Sequence, residues 1–208
     1  MIDMKKLCIF GASGAAKDAF LILAASELQD EFECFFETDD IWTERMLLGY
    51  DVRPFSAFDP KEYKLVIAVG DSFARKKIVG LVPPGTEFFS LIHPSVNISP
   101  WVEIGEGAII GEGCLFTIDI KIGKHAYINI GTTISHDCRI GDYFTASPAV
   151  NISGNCTIGD CVFMGINSSV RDKITITDNV IAGMGSAVIN DLIEPGTYVG
   201  VPAKLISR

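Results

Sequence analysis

A six-residue period runs through the middle of the chain, from Ile98 to about Leu192, and it restricts the possible folds more than any other feature. Counting in sixes from Ile98, each of the sixteen positions up to Val188 is apolar. Because 48% of the chain is apolar, such a run would arise by chance about once in 10⁵. A helix would repeat apolar residues every three and four positions, and no such spacing persists here. The period therefore indicates a repeat of very short strands.

A second column of small or apolar residues lies two positions before the first, from Val102 to Leu192, and contains no charge. Residues two apart on a strand share a face, so each hexad predicts a strand with two inward side chains and then a corner. Glycines such as Gly105 and Gly123 follow the first column, and we attribute them to unusual backbone angles at the corners. Three hexads make one triangular coil, so the pattern predicts a left-handed parallel β-helix of about five coils.

Strands alternate with helices before the repeat. Apolar runs cover residues 6–12, 32–36 and 65–69, and residues 13–28 have helical spacing. This alternation predicts a small Rossmann-like α/β domain with a parallel sheet. Ligands of such sheets bind beyond the carboxyl ends of the strands. The candidate ligand-binding residues at this rim are Gly11, Ser13, Gly14, Lys17, Asp39, Asp40, Gly70 and Asp71.

The rim residues can also be explained by local backbone structure, without a bound ligand. The loop Gly11–Lys17 matches neither GxGxxG nor the P-loop pattern. Its glycines and the helix that follows suit an anionic group, and they equally suit a tight strand-to-helix turn. Asp39 and Asp40 suit the hydroxyls of a ribose or the edge of a base, or a solvated turn.

Prolines and glycines are concentrated between residues 81 and 93, as is typical of a connection between domains. We therefore predict an α/β domain at residues 1–85 and a β-helix domain with a C-terminal tail at residues 86–208. A strand from Phe88 to Ile92 is expected to lead into the β-helix. The region after Leu65–Val69 carries a basic segment, residues 75–77.

Charge and cysteine usage exclude some partners and suggest a compartment. The net charge of −9 disfavours nucleic acid, and no apolar stretch reaches the ~18 residues of a membrane span. Cys114, Cys138 and Cys156 lie in the small inward column, where a reduced thiol is a small buried residue. No CxxC motif occurs. We expect a cytoplasmic protein without disulfides and without a metal site.

Five motifs carry a resemblance that covers essentially the whole chain. They are GASGAAKD near the start, VIAVGDSFARKKI at 66–78, HPSV at 93–96, NIGTTISHDCRIG at 129–141 and GVPAK at 200–204. The chain resembles the hexapeptide-repeat nucleotide-sugar acetyltransferases, a group that includes the bacillosamine and perosamine N-acetyltransferases and the sialic acid O-acetyltransferases. The resemblance implies an acetyl-CoA-dependent N-acetyltransferase for the 4-amino group of a UDP- or dTDP-linked 4-amino-4,6-dideoxyhexose in bacterial glycan biosynthesis. It also implies a homotrimer with acetyl-CoA between adjacent subunits.

The same resemblance implies roles for individual residues. His136 takes the position of the catalytic base, Asp137 that of its supporting acid, and Asn129 belongs to the substrate site. The spacing of the coils, counted from His136, places the acetyl-CoA groove at Gly154, with Ile166, Gly183, Val201, Pro202 and Lys204 expected further along it. Gly154 lies one coil, eighteen residues, after His136, so it should leave room for the pantetheine arm and offer its backbone to the oxyanion.

The chain departs from the family at two positions. Ala15 stands where the first glycine loop usually has a histidine, and Thr145 stands where a second histidine often follows the catalytic one by nine residues. These departures leave His136 as the only candidate base in that region. Of the other two histidines, we predict a structural role for His93 and a solvated surface position for His125.

Other functions fit parts of the pattern. An O-acetyltransferase of a sialic-acid-type sugar would differ mainly in the acceptor atom. A trimeric scaffold with a nucleotide-sensing domain would bind nucleotide without releasing CoA. A zinc-dependent carbonic anhydrase of the β-helix type would need a histidine pair five residues apart, whereas the spacings here are 32 and 11.

Overall fold

The N-terminal part of the chain forms a six-stranded sheet between helices. The structure is a computed structural model and describes residues 5–206. The strands are β1 (Lys6–Phe10), β2 (Phe32–Glu37), β3 (Arg45–Leu47), β4 (Tyr50–Pro54), β5 (Tyr63–Ile67) and β6 (Glu87–Phe88), and the helices are α1 (Gly14–Ala25) and α2 (Ser72–Val79). The strand order is β3-β4-β2-β1-β5-β6, and only the β3–β4 pair is antiparallel. The predicted parallel α/β sheet is present, with an added β3–β4 hairpin that the apolar runs did not indicate.

Apolar side chains cover both faces of this sheet. Helix α1 packs on one face through Ala16, Ala19 and Leu23, all fully buried. Phe36 and Tyr63 lie in the core of the other face, with Phe58 beside them. Burial of both faces is the normal condition of a parallel sheet and explains why β1, β2 and β5 are nearly continuous apolar runs.

The rest of the chain winds into a parallel β-helix with three flat sheets, which we name faces I, II and III. Face I contains β7 (Leu91–Ile92), β9 (Ile109–Ile110), β12 (Tyr127–Ile128), β15 (Thr145–Ala146), β18 (Phe163–Met164), β21 (Val180–Ala182), β23 (Gly196–Val199) and β24 (Lys204–Leu205). Face II contains β10 (Leu115–Phe116), β13 (Thr133–Ile134), β16 (Asn151–Ile152), β19 (Ser169–Val170) and β22 (Ala187–Val188). Face III contains β8 (Val102–Ile104), β11 (Ile120–Ile122), β14 (Arg139–Ile140), β17 (Thr157–Ile158) and β20 (Thr175–Ile176).

The period of the sequence is the period of the coils. Ile122 pairs with Ile140, and Ile140 with Ile158, so each strand lies eighteen residues from its neighbour on the same face. Both predicted inward columns line one continuous core between the three faces. The predicted fold class is therefore confirmed. Face I has eight strands rather than about five, because β7 precedes the regular coils and β23 and β24 follow them.

The glycines that follow the first column have a different cause from the one predicted. Positive φ angles occur two residues later, for example at Asp119 (φ 53°) and Asp137 (φ 61°). Gly123 is instead required by close stacking, because a Cβ there would lie 2.6 Å from the carbonyl carbon of Gly141 on the next coil. Glycines such as Gly123 thus allow close stacking of the coils at one corner position, and a left-handed residue is needed at another.

The connection between the two parts contains two short strands where one was predicted. β6 is the last strand of the α/β sheet, pairing with β5, while β7 is the first strand of face I. β6 lies just past residue 85, where the domain boundary was predicted. The position of that boundary stays a prediction. No helix among residues 5–206 has the length and apolar character needed to cross a membrane.

Candidate active site

An exposed histidine and aspartate form a pair on the corner between faces II and III. His136 Nδ1 and Asp137 Oδ2 are 2.6 Å apart, and about half of each side chain is exposed. Asp137 adopts the left-handed backbone conformation, which turns its carboxylate back toward the preceding residue. The hydrogen bond from the imidazole is the main cause that lowers the pKa of Asp137. The predicted approach of Asp137 to the imidazole at a corner is present in the structure.

Gly154 lies directly beneath this imidazole. A Cβ on Gly154 would be 2.6 Å from His136 Cε1 and 2.8 Å from Nε2, and Asn155 N donates to the carbonyl of His136 on the preceding coil. The predicted stacking of Gly154 on the corner of His136 is thus observed. Only glycine leaves the ring in its position over the coil below.

The first glycine loop lies against the strand next to it. Gly11 has a φ of +118°, and a Cβ on it would lie 2.8 Å from the carbonyl oxygen of Ala68, which follows β5. Ser13 is the N-cap of α1, and its hydroxyl makes no capping bond. Gly14 has open space around its Cα, and Lys17 is exposed in the first turns of α1. The structure therefore brings these predicted rim residues together at the carboxyl ends of β1 and β5.

The acidic residues after β2 differ in their surroundings. Asp39 accepts hydrogen bonds from the backbone N–H and the hydroxyl of Ser56, while Asp40 is exposed. Glu37, at the end of β2, forms a 2.7 Å ion pair with Arg45. After β5, Asp71 caps α2 by accepting a hydrogen bond from Ala74 N. The carboxylates of Asp39 and Asp71 therefore already accept hydrogen bonds from the protein itself, in addition to any that a ligand would donate.

A mostly apolar cavity of about 360 Å³ opens where α1 packs against the corner between faces I and II. Asn129 lies on its wall, together with the acidic residues Asp18 and Glu112 and with His93. Tyr127 lines the same cavity, and its buried hydroxyl has no hydrogen-bond partner among the described residues. Burial raises the pKa of Tyr127 to about 12. None of the other predicted substrate residues lines this cavity.

The remaining predicted acetyl-CoA residues do not share the corner of His136. Ile166 and Gly183 follow β18 and β21 and lie on the corner between faces I and II, the corner of Asn129. This follows from the hexads, since moving from Gly154 to Ile166 passes two strands and so two corners. Val201, Pro202 and Lys204 belong to the exposed turn and strand after β23. One chain therefore presents two half-sites. The resemblance implies a groove between adjacent subunits, which would take residues from two chains, and this assignment stays a prediction.

The other two histidines differ from each other. His125 was predicted to be solvated, but it is 3% exposed, between Phe88 and Tyr143. Burial lowers its pKa to about 4. It is buried because its corner faces the α/β domain, which the hexad pattern could not show. His93 Nδ1 lies 2.8 Å from the hydroxyl of Ser95, and the structural role predicted for His93 stays a prediction.

A buried polar junction between the two domains was not anticipated from the sequence. Arg75 in α2 is 1% exposed and donates hydrogen bonds to backbone carbonyls of both domains. It also donates to the hydroxyl of Thr145, the residue at the position of the second family histidine. The only signal of this junction in the sequence was the basic segment at residues 75–77. Among residues 5–206, no three histidine, cysteine or acidic side chains converge as ligands for a metal ion.

These features define a class of protein: a hexapeptide-repeat β-helix with an N-terminal α/β domain and an exposed histidine–aspartate pair on one corner. Residues 6–82 match the family described as the PglD N-terminal domain. The comparison with curated proteins finds no match.

Solved structures match nearly the whole chain. A variant of GDP-perosamine N-acetyltransferase from Caulobacter crescentus, in complex with CoA and GDP-perosamine, is 29% identical over 99% of this chain and 98% of its own, with a TM-score of 0.89. The acetyltransferase domain of PglB from Neisseria gonorrhoeae, in complex with acetyl coenzyme A, is 25% identical over 97% and 99%, with a TM-score of 0.76. WeeI from Acinetobacter baumannii is 27% identical over 98% and 100%, with a TM-score of 0.87.

The family match and the full-length structural matches agree with each other. The chain is similar over nearly its whole length to sugar acetyltransferases of this class, so the resemblance and the enzyme class predicted from the sequence are confirmed.

Proposed function

We propose that this chain transfers the acetyl group of acetyl-CoA to the 4-amino group of a nucleotide-linked 4-amino-4,6-dideoxyhexose, for bacterial surface glycan synthesis. The observation that carries the proposal is the 2.6 Å contact between His136 Nδ1 and Asp137 Oδ2 on an exposed corner. The GDP-perosamine bound in one matched structure supports a sugar-nucleotide acceptor. CoA and acetyl coenzyme A in two matched structures support the donor.

His136 acts as the general base in this proposal. Because Nδ1 is bonded to Asp137, Nε2 is the ring nitrogen left to accept a proton. The amine nitrogen attacks the thioester carbonyl, a C–N bond forms, and a proton passes from nitrogen to Nε2. Breakage of the C–S bond then takes that proton to sulfur, so the amide and the CoA thiol leave and the imidazole is neutral again. Asp137 holds the tautomer and stabilises the imidazolium between the two steps.

Gly154 contributes space and a donor. Its missing side chain lets the imidazole lie flat against the coil. Its N–H makes no hydrogen bond within residues 5–206, and we assign it as a donor to the oxyanion that develops during attack.

The nucleotide of the acceptor binds the rim of the α/β domain, at the loops after β1, β2 and β5. The resemblance favours UDP or dTDP, and one matched enzyme is solved with GDP-perosamine. All three nucleotides therefore belong in the acceptor panel. The six free, buried cysteines favour a reducing compartment, and we place the reaction in the cytoplasm.

A homotrimer would bring the half-sites together. The α/β domain packs over face I, through Tyr127 and Thr145 among others, while His136 lies on the corner between faces II and III. In a triangular prism that corner is opposite face I, so a nucleotide sugar on the rim is a full prism width from His136 of its own chain. Side-by-side packing of three prisms about one axis places the corner of one chain near the rim of the next.

The first experiment measures free CoA released from acetyl-CoA in the presence of UDP-, dTDP- and GDP-linked 4-amino-4,6-dideoxyhexoses and of sialic acid. Release with one amino sugar supports the proposal and names its nucleotide. Release only with sialic acid would assign O-acetylation instead. Tight nucleotide binding without any CoA release would favour a trimeric scaffold.

The assignment of His136 is tested on the substrate that this panel identifies. Because a general base contributes about 10²–10⁴ in rate, we expect His136→Ala to lose turnover by that factor and to keep acetyl-CoA binding. Unchanged turnover would remove His136 from the mechanism.

The shared site is tested by mixing two inactive proteins. One carries His136→Ala and the other carries a charge reversal at the rim, Lys17→Glu. After the two are unfolded and refolded together, mixed trimers would contain intact pairs of rim and histidine, and activity should return. Recovery no greater than the sum of the separate proteins would place the complete site within one chain.

A further inference from the structure

The junction between the two domains is built around one fully buried arginine. Arg75 Nε donates to the carbonyl of His125 at 2.8 Å, and Nη2 donates to the carbonyls of Tyr143 at 2.8 Å and Phe144 at 3.0 Å. These carbonyls belong to two successive coils of the β-helix. Burial lowers the pKa of Arg75 to about 10, so the guanidinium stays charged at neutral pH and is solvated by carbonyl dipoles.

The same guanidinium holds the loop that follows β5. Nη1 donates to the carbonyl of Val69 at 2.6 Å and to that of Gly70 at 3.2 Å. Arg75 therefore connects the β-helix to the segment that leads into Gly70 and Asp71, two residues of the predicted nucleotide rim. Planar guanidinium geometry suits several fixed acceptors at once, which a lysine could not satisfy.

Thr145 completes the connection from the β-helix side. It is 3% exposed, and its hydroxyl donates to the carbonyl of Gly70 at 2.9 Å. The same oxygen accepts from Arg75 Nη2 at 2.8 Å and from the hydroxyl of Ser72 at 3.0 Å. The donor and both acceptor positions of the hydroxyl are therefore used. This residue occupies the position of the second family histidine, and every hydrogen bond of its side chain goes to the α/β domain.

We infer that Arg75 and Thr145 are positioning residues for the acceptor: they fix the rim loop at Gly70 against the β-helix, and with it the place of the bound nucleotide sugar. The inference rests on the proposed function. The first glycine loop is coupled to the same point, because Gly11 packs against the carbonyl oxygen of Ala68. A shift of the loop after β5 would therefore disturb both loops of the rim.

The variant Thr145→Val tests this inference with nearly unchanged side-chain volume. It removes the donor to Gly70 and the oxygen that accepts from Arg75 and Ser72, so we expect KM for the nucleotide sugar to rise about tenfold. KM for acetyl-CoA should stay within about twofold, because that ligand is assigned to other corners. Thr145→Ser keeps the hydroxyl and should return KM to near the native value. Thr157→Val is the matched control, since Thr157 is exposed on face III.

The measurements distinguish a role in placing the nucleotide sugar from a role in merely holding the two domains together. A fall in Tm with both KM values unchanged, or with both raised equally, would overturn the inference. If the native protein acetylates none of the acceptors, the proposed function fails, and the same comparison is made by calorimetry with UDP, dTDP and GDP. The inference would also be overturned if the native protein binds none of these nucleotides. It would equally be overturned if Thr145→Val leaves the nucleotide affinity unchanged.

Discussion

A single methyl group at Gly154 should disable the imidazole without changing either member of the histidine–aspartate pair. In Gly154→Ala, the new Cβ would be 2.6 Å from His136 Cε1, whereas ordinary contacts begin at 3.4 Å. The coil backbone beneath is fixed by its ladder, including the bond from Asn155 N to the carbonyl of His136. The imidazole must therefore retreat by most of an ångström, which its 2.6 Å contact with Asp137 cannot absorb.

The expected loss follows from the sensitivity of catalysis to position. Displacement of a catalytic group by about 1 Å costs on the order of 10²-fold in rate, so kcat of Gly154→Ala should fall about 10²-fold. The assay is the initial rate of CoA release with the acceptor that the panel identifies. Gly80→Ala is the matched control, because Gly80 at the end of α2 has a φ of −67° and its Cβ would meet ordinary contacts from 3.4 Å.

A double-mutant cycle makes the reasoning refutable. If Gly154 acts only by leaving room for the ring, then Gly154→Ala should cost nothing further in a His136→Ala background. A full additional loss there would assign Gly154 an independent role, such as its N–H toward the oxyanion. A single variant with native kcat would show that the ring can move freely, and would refute the argument from close stacking.

Three further measurements follow from the structure. Asp137→Asn keeps the left-handed corner but can offer an N–H to Nδ1, so kcat should fall about 10- to 10²-fold, with Tm unchanged. His125 is neutral when buried and has a pKa of about 4, below the ~6.5 of an unfolded histidine. The unfolded state therefore binds more protons between these values. Stability should fall by about 3 kcal/mol from pH 6.5 to pH 4, and urea titrations of His125→Asn should lack this loss. Light scattering should give three times the mass of one chain.

Much of the fold was predictable because a solenoid repeats the same physical requirement in every hexad. Each inward position of the β-helix is set by one period, so a single register predicts the core from Val102 to Leu192. The β3–β4 hairpin was missed because most of its residues are only half-buried, with little apolar alternation. The burial of His125 was missed because it depends on which corner of the β-helix faces the α/β domain. The hexad pattern is the same at all three corners and does not identify that one.

The site was predictable only in part for a related reason. His136 and Gly154 are one coil apart, and a spacing of eighteen residues is visible in the sequence. Asp39 and Asp71 were visible as polar residues after strands, but their bonds to Ser56 and Ala74 N were not. Arg75 is the first of three consecutive basic residues in the sequence. Nothing in that pattern shows that Arg75 is buried while its two neighbours are exposed.

The corner at residue 137 shows how chemistry is added to a repeat without disturbing it. A left-handed residue stands at that position in each hexad from Gly107 to Gly185, and Asp119, Tyr143 and Asn155 meet the same requirement nearby. Aspartate tolerates this conformation, and the turn it makes directs its carboxylate toward the residue before it. A histidine at the preceding position then has a hydrogen-bond partner at 2.6 Å, and a glycine one coil later leaves room for its ring. Three substitutions in a solenoid of equivalent hexads therefore suffice to make one corner different from all the others, which is why the repeat itself does not reveal the site.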